Sequence, residues 1–124
     1  MRNPEDLAVY RSSFELAANV IRMVRVFPDG KFPTEERFGL CQQMRRAAVS
    51  IMSNIAEGCS RESQADFRRF IEIAQGSALE LRCQLALCRR VGFGAEDDVA
   101  SLEAETNAVV KALINLGKTL RARA

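Results

Sequence analysis

The chain has 124 residues, 48% apolar and 27% charged, with a net charge of +2, the balance of one folded globular domain over 1–124 and too small a charge to announce a nucleic-acid partner. No apolar run approaches the ~20 residues of a membrane span, and no apolar stretch follows a basic start, so a cytoplasmic protein without membrane contact is expected. The four cysteines, Cys41, Cys59, Cys83 and Cys88, form no CxxC pair and have no histidine to complete a mixed zinc site; three fall at core-type positions, so buried reduced thiols are expected rather than a disulfide or metal framework.

In chain order, Asn3-Pro4-Glu5-Asp6 offers a capping side chain, a proline that needs no donor and acids at the positive end of a helix dipole. A first helix over about 4–27 follows, with Leu7, Tyr10, Phe14, Ala17, Ile21 and Val24 as its stripe and Phe27-Pro28-Asp29-Gly30 as its stop. A second, over 35–58, is expected to start from Thr34 as cap and to run its stripe through Phe38, Cys41, Met44, Ala48, Ile51 and Ile55 to Gly58. Leu40, Ala47, Val49 and Met52 lie outside that stripe, which predicts a second apolar face buried against another subunit.

Ser63 with Asp66 three residues on resembles a capping box and opens a third helix over 64–91. Its stripe is Phe67, Ile71, Ala74, Ala78, Leu81, Leu85 and Cys88, closed by Arg89, Arg90 and Gly92. Gly76 sits in mid-helix at a cost of about 1 kcal/mol relative to alanine, so close approach of another backbone or a bulky side chain is expected there, and Gly76 joins the candidate oligomer interface. A fourth helix over 96–122 carries Val99, Leu102, Thr106, Val109, Leu113, Leu116 and Leu120; its acids gather at the start, and Lys118, Arg121 and Arg123 at the end, as the dipole alone favours. Short connections between long helices make neighbours antiparallel, so the fold class is all-α, an up-down-up-down four-helix bundle.

Catalytic chemistry is hard to place on this chain. Carboxylate-bridged di-metal bundles need Glu-x-x-His, and the chain has no histidine. Glu57, Glu72 and Glu80 lie off the stripes of their helices. No Gly-rich phosphate loop, GxSxG or Cys-His combination is present, so a non-enzymatic protein without cofactor or metal is expected. Fifteen of the eighteen basic residues are arginine, whose planar fork suits phosphate and carboxylate; a bias toward arginine codons explains the same count. Arg68, Gln75, Arg82 and Arg89 are seven apart and form one column beside the third stripe, which Arg45, Arg46 and Arg61 are expected to extend. Two readings stay open for it: a face for RNA or DNA, held by charge and weakened by salt, or flanking charges paired with neighbouring helices or subunits of a scaffold.

The segment from Gln43 to Gly58, QMRRAAVSIMSNIAEG, resembles the most distinctive stretch of the four-helix-bundle proteins first noticed as open reading frames in intervening sequences of bacterial 23S ribosomal RNA genes. Asp6–Tyr10, Phe67–Ile71 and Ala74–Leu81 agree with it. The resemblance implies an up-down bundle, in some relatives a homo-oligomeric ring of five, and it points to Arg45, Arg46, Asn54 and Glu57 as the polar positions of the motif. It also implies a class of function, since the related accessory variability proteins of diversity-generating retroelements are basic, nucleic-acid-binding partners of a reverse transcriptase. Relatives commonly have proline where this chain has Met52, so a straighter second helix is expected.

Overall fold

The structure, a computed structural model, describes residues 2–25 and 32–123. Among them all regular structure is helical: α1 Ala8–Met23, α2 Leu40–Cys59, α3 Gln64–Val91 and α4 Glu96–Ala122, with single 3-10 turns at Pro4–Asp6 and Thr34–Glu36. α1 packs on α2 and α4, and α3 packs on the same two, so α1 faces α3 across one diagonal and α2 faces α4 across the other. Met44 meets Cys88 and Ser50 meets Ser77 between α2 and α3, while Gln75 meets Leu113 and Arg89 meets Glu103 between α3 and α4. In each pair one number falls as the other rises, so these neighbours are antiparallel.

The signals for α3 and α4 are local, and both helices have the expected bounds. Ser63 accepts a hydrogen bond from Asp66 N at 3.1 Å, and Gly92 closes α3 in the left-handed region with φ 80°, a conformation open to glycine without a Cβ clash. Every residue of the α3 stripe is buried. In α4 the stripe is buried except for half-buried Leu116, and Val110 and Gly117 join it.

The first two helices differ from expectation in start and phase. Asn3 does cap, accepting from Glu5 N, but Pro4–Asp6 forms one 3-10 turn, Leu7 is extended, and α1 begins at Ala8 and ends at Met23. The expected stop at Phe27–Gly30 lies outside the described residues. The buried residues of α1 are Val9, Ser13, Leu16, Val20 and Met23, with Ala17 and Val24 beside them, again a four-three spacing. Phe14 is 49% exposed and Ile21 42%. Ser13 interrupts the buried stripe with a hydroxyl, so hydrophobicity alone sets the stripe off centre: Ala17 and Val24 are buried and Leu7 and Tyr10 pack half-buried against the core, whereas Phe14 and Ile21 turn outward. The Ser13 Oγ is buried without a hydrogen-bond partner among the described residues, which costs on the order of 1–3 kcal/mol in desolvation. Ser13→Ala should therefore raise stability by about 1 kcal/mol, or roughly 3–6 °C in a thermal melt; an unchanged or lower midpoint would mean that the hydroxyl is satisfied in solution.

Thr34 does not cap α2. Gly39, at φ −102° and ψ −110°, separates the Thr34–Glu36 turn from a helix that begins at Leu40, and the Glu36 carboxylate accepts from Leu40 N at 3.2 Å. Phe38, ahead of that start, is 78% exposed under the Arg37 guanidinium. The end of the bundle is filled instead by Phe32, which packs on Phe93 at 6.2 Å between centroids and crowds Gly94. The remaining α2 stripe, Cys41 to Ile55, is buried as expected.

Candidate nucleic-acid interface

The unbroken 28 residues of α3 keep the seven-residue column of Arg68, Gln75, Arg82 and Arg89 on one edge, and that edge faces α4. Gln75 Nε2 donates to Leu113 O at 3.0 Å; a Cβ at Gly117 would lie 2.7 Å from the same nitrogen, so glycine there makes room for the amide. Arg89 bonds Glu103 of α4. Arg68 Nε lies 3.5 Å from Glu72 Oε1, an exposed i,i+4 pair worth roughly 0.3–0.5 kcal/mol. Arg82 has no carboxylate partner among the described residues. With Lys111, Asn107, Val110, Ile114 and Asn115 of α4 it lines an open groove of about 350 Å³.

α4 strengthens this edge in a way that the spacing along α3 does not reveal. From Thr106 to Arg123 it carries Lys111, Lys118, Arg121 and Arg123 and no acid, and its antiparallel course lays those turns beside the Arg68–Arg82 part of the column. Along the sequence the helix dipole accounts for the basic end of α4; the acid-free run from Thr106 is the signal that sets it apart. The opposite end of the column is neutralised, because Arg89 is engaged by a carboxylate that is itself largely covered.

Arg45, Arg46 and Arg61 do not extend the column. α2 and α4 lie on opposite sides of α3, and the α3-facing edge of α2 is set by Ser50, whose Oγ is 2.8 Å from Ser77 Oγ. Arg45, five residues earlier, points about 140° away from it. Arg61 is bound to Glu57 at 2.6 Å and lies over the Phe70 ring at 4.9 Å. Asn54 donates to Ser50 O at 2.8 Å and Ser50 Oγ at 3.0 Å. In the monomer Asn54 is therefore held within α2 by Ser50, whose hydroxyl meets Ser77 of α3, and Glu57 is held to Arg61 in the turn that follows.

The expected second face of α2 is also altered. Ala47 is buried inside the chain, and Leu40 and Met52 pack half-buried against the core, because α1 and α3 flank α2 on both sides. Val49 stays exposed. Among the described residues no atom comes within 4 Å of a Cβ at Gly76, so nothing in the monomer makes the close approach expected there; within the chain a close approach occurs at Gly58, against Phe67 and Phe70.

Cys41, Cys59 and Cys88 are buried free thiols and Cys83 is exposed. Burial raises the first three, pushing Cys88 up to about 11, so they stay protonated near neutral pH and serve as core atoms, with Cys88 Sγ 3.6 Å from Met44 Sδ. Among the described residues no helix is long and apolar enough to cross a membrane.

Residues 5–115 match the model of a family described as 23S rRNA-intervening sequence protein. Among solved structures, a protein from Bacteroides thetaiotaomicron VPI-5482, described as having unknown function and coming from the S23 ribosomal protein family, superposes with a TM-score of 0.79 at 25% identity, over 90% of this chain and 99% of that one. No curated protein matches the chain.

Proposed function

The chain belongs to the 23S rRNA-intervening sequence protein family, and from that premise we propose that it is a non-enzymatic accessory protein that associates with copies of itself and holds nucleic acid along its α3–α4 edge. The observation that carries this reading is the groove shared by Arg82 and Lys111. Two cations without carboxylate partners among the described residues stand there beside the side-chain amides of Asn107 and Asn115, a set suited to a phosphodiester backbone. These cations and amide donors can meet phosphate oxygens, so the binding is dominated by counterion release.

Self-association is supported by apolar side chains left outside the monomer, among them Phe14, Ile21, Val49, Ile73 and Leu87. A ring of five is the stoichiometry that the resemblance favours. The same exposed residues support a second reading, a scaffold that assembles without nucleic acid.

Fluorescence anisotropy with a mixed-sequence RNA oligonucleotide at low and high salt separates the two. Wild-type affinity should fall steeply as salt rises. Arg82→Gln with Lys111→Gln should weaken low-salt binding about tenfold or more and flatten the salt dependence, each lost contact removing roughly 0.7–0.9 from the slope of log affinity on log salt. Binding that is absent, indifferent to salt or unchanged in the double variant overturns the nucleic-acid reading and leaves the scaffold.

A further inference from the structure

The second half of α4 forms a ridge on the outside of the bundle. Leu113 is fully buried, and Ala104, Ala108, Lys111, Asn115, Lys118 and Ala122 are turned about 140–180° from it; all six are exposed. Alanine at three of these positions keeps the outer face slender, so the polar side chains rise from it. A hollow lies on each side. Towards α3 it is the groove of Arg82, Val110 and Ile114. The other, of about 460 Å³, is lined by Ala108 and Ala112, and Ala112 is within about 20° of line with Glu105, which Asn19 marks as the α1 side. Asn107, Lys111 and Asn115 border both hollows.

The acids that flank the ridge are Glu5 and Glu15 on the α1 side and Glu72 on α3, which Arg68 engages. Arg11 and Arg82 stand beside them, and α4 adds its four cations and no acid from Thr106 onward, so the surface keeps a positive surplus, greatest towards α3. A polar crest between two hollows is the complement of a groove between two phosphate strands. The major groove of duplex DNA, about 12 Å wide and 8.5 Å deep, admits an α-helix; that of an RNA duplex is too deep and narrow for side chains to read. Asn107 and Asn115 are about 12 Å apart along the axis, roughly three to four base-pair steps. Asn107 leans towards α3 and Asn115 towards α1, so each amide meets a different base pair. An asparagine amide pairs with N6 and N7 of adenine.

We propose that the α4 ridge enters the major groove of duplex DNA, with Asn107 and Asn115 on adenine edges and Arg82 and Lys111 on the phosphates beside them. This rests on the nucleic-acid reading above and names its ligand, a double-stranded DNA. The cations supply affinity without regard to sequence, and the two uncharged amides supply the preference for adenine.

Fluorescence anisotropy at one fixed salt concentration tests the contact with three short duplexes of one sequence: DNA, DNA with 7-deazaadenine in place of adenine, and RNA. 7-Deazaadenine replaces the N7 acceptor by C–H and leaves the pairing, the phosphates and the minor groove as they were. Wild type should bind the DNA about tenfold or more tighter than the RNA duplex and should lose about fivefold or more with 7-deazaadenine. Asn107→Ala with Asn115→Ala should bind the two DNA duplexes alike. Alanine favours a helix more than asparagine does, so the variant stays folded. Equal binding of the DNA and RNA duplexes, no loss with 7-deazaadenine, or a double variant that still tells the two DNAs apart overturns the major-groove contact. In that event salt-dependent binding of the RNA oligonucleotide above leaves the nucleic-acid reading standing, whereas a wild type that binds no nucleic acid overturns both.

Discussion

Phe67→Ala should cost about 3–5 kcal/mol, as expected for truncating a buried aromatic side chain, and should lower the thermal midpoint by roughly 10–25 °C for a domain of this size. Phe67 is buried at the first turn of α3, and three parts of the chain converge on it. Gly58 of α2 packs against its ring, and the Arg2 guanidinium lies 4.1 Å from the ring centroid. Arg2 is itself fixed by bonds to Gln64 Oε1 and Cys59 O. Removing the ring opens a cavity and frees the N-terminal segment that ties α1 to the far end of α2. A circular-dichroism melt decides the matter, and a drop of less than about 5 °C would show that the site collapses and that Phe67 is not the anchor described.

Gly58→Ala should destabilise by about 1–3 kcal/mol in spite of the better helix propensity of alanine. A Cβ there would stand 2.9 Å from Phe70 Cβ, 3.0 Å from Phe67 Cδ1 and 3.3 Å from Phe67 O. None of these atoms is the free end of a flexible side chain, so α2 and α3 must move apart near the turn that joins them. The control is Gly117→Ala, whose Cβ would meet the movable end of Gln75 and should change stability far less. Equal melting points for the two variants would mean that the α2–α3 crossing is looser than the distances indicate.

Legibility tracked how local each determinant is. α3 was readable residue by residue because its cap, stripe, basic last turn and terminal glycine all lie within one continuous segment, and α4 nearly so. The α1 phase was not, because the chain carries two overlapping apolar stripes and the anchors that choose between them, such as the Arg2–Cys59 bond, come from outside the helix. In the candidate site, the Arg68–Arg82 spacing was visible along one helix, whereas its companion Lys111 is a neighbour only across α3 and α4.

By itself, then, the amino-acid sequence determined that this protein is four helices, where α3 and α4 begin and end, and which residues of α2, α3 and α4 form most of the core, because caps and heptad-like spacing act over one or two turns. The tertiary structure alone decided which stripe of α1 is buried, which arginines share a face, and which glycine marks a close crossing. Those outcomes depend on contacts between residues far apart in the chain, and no local pattern encodes them.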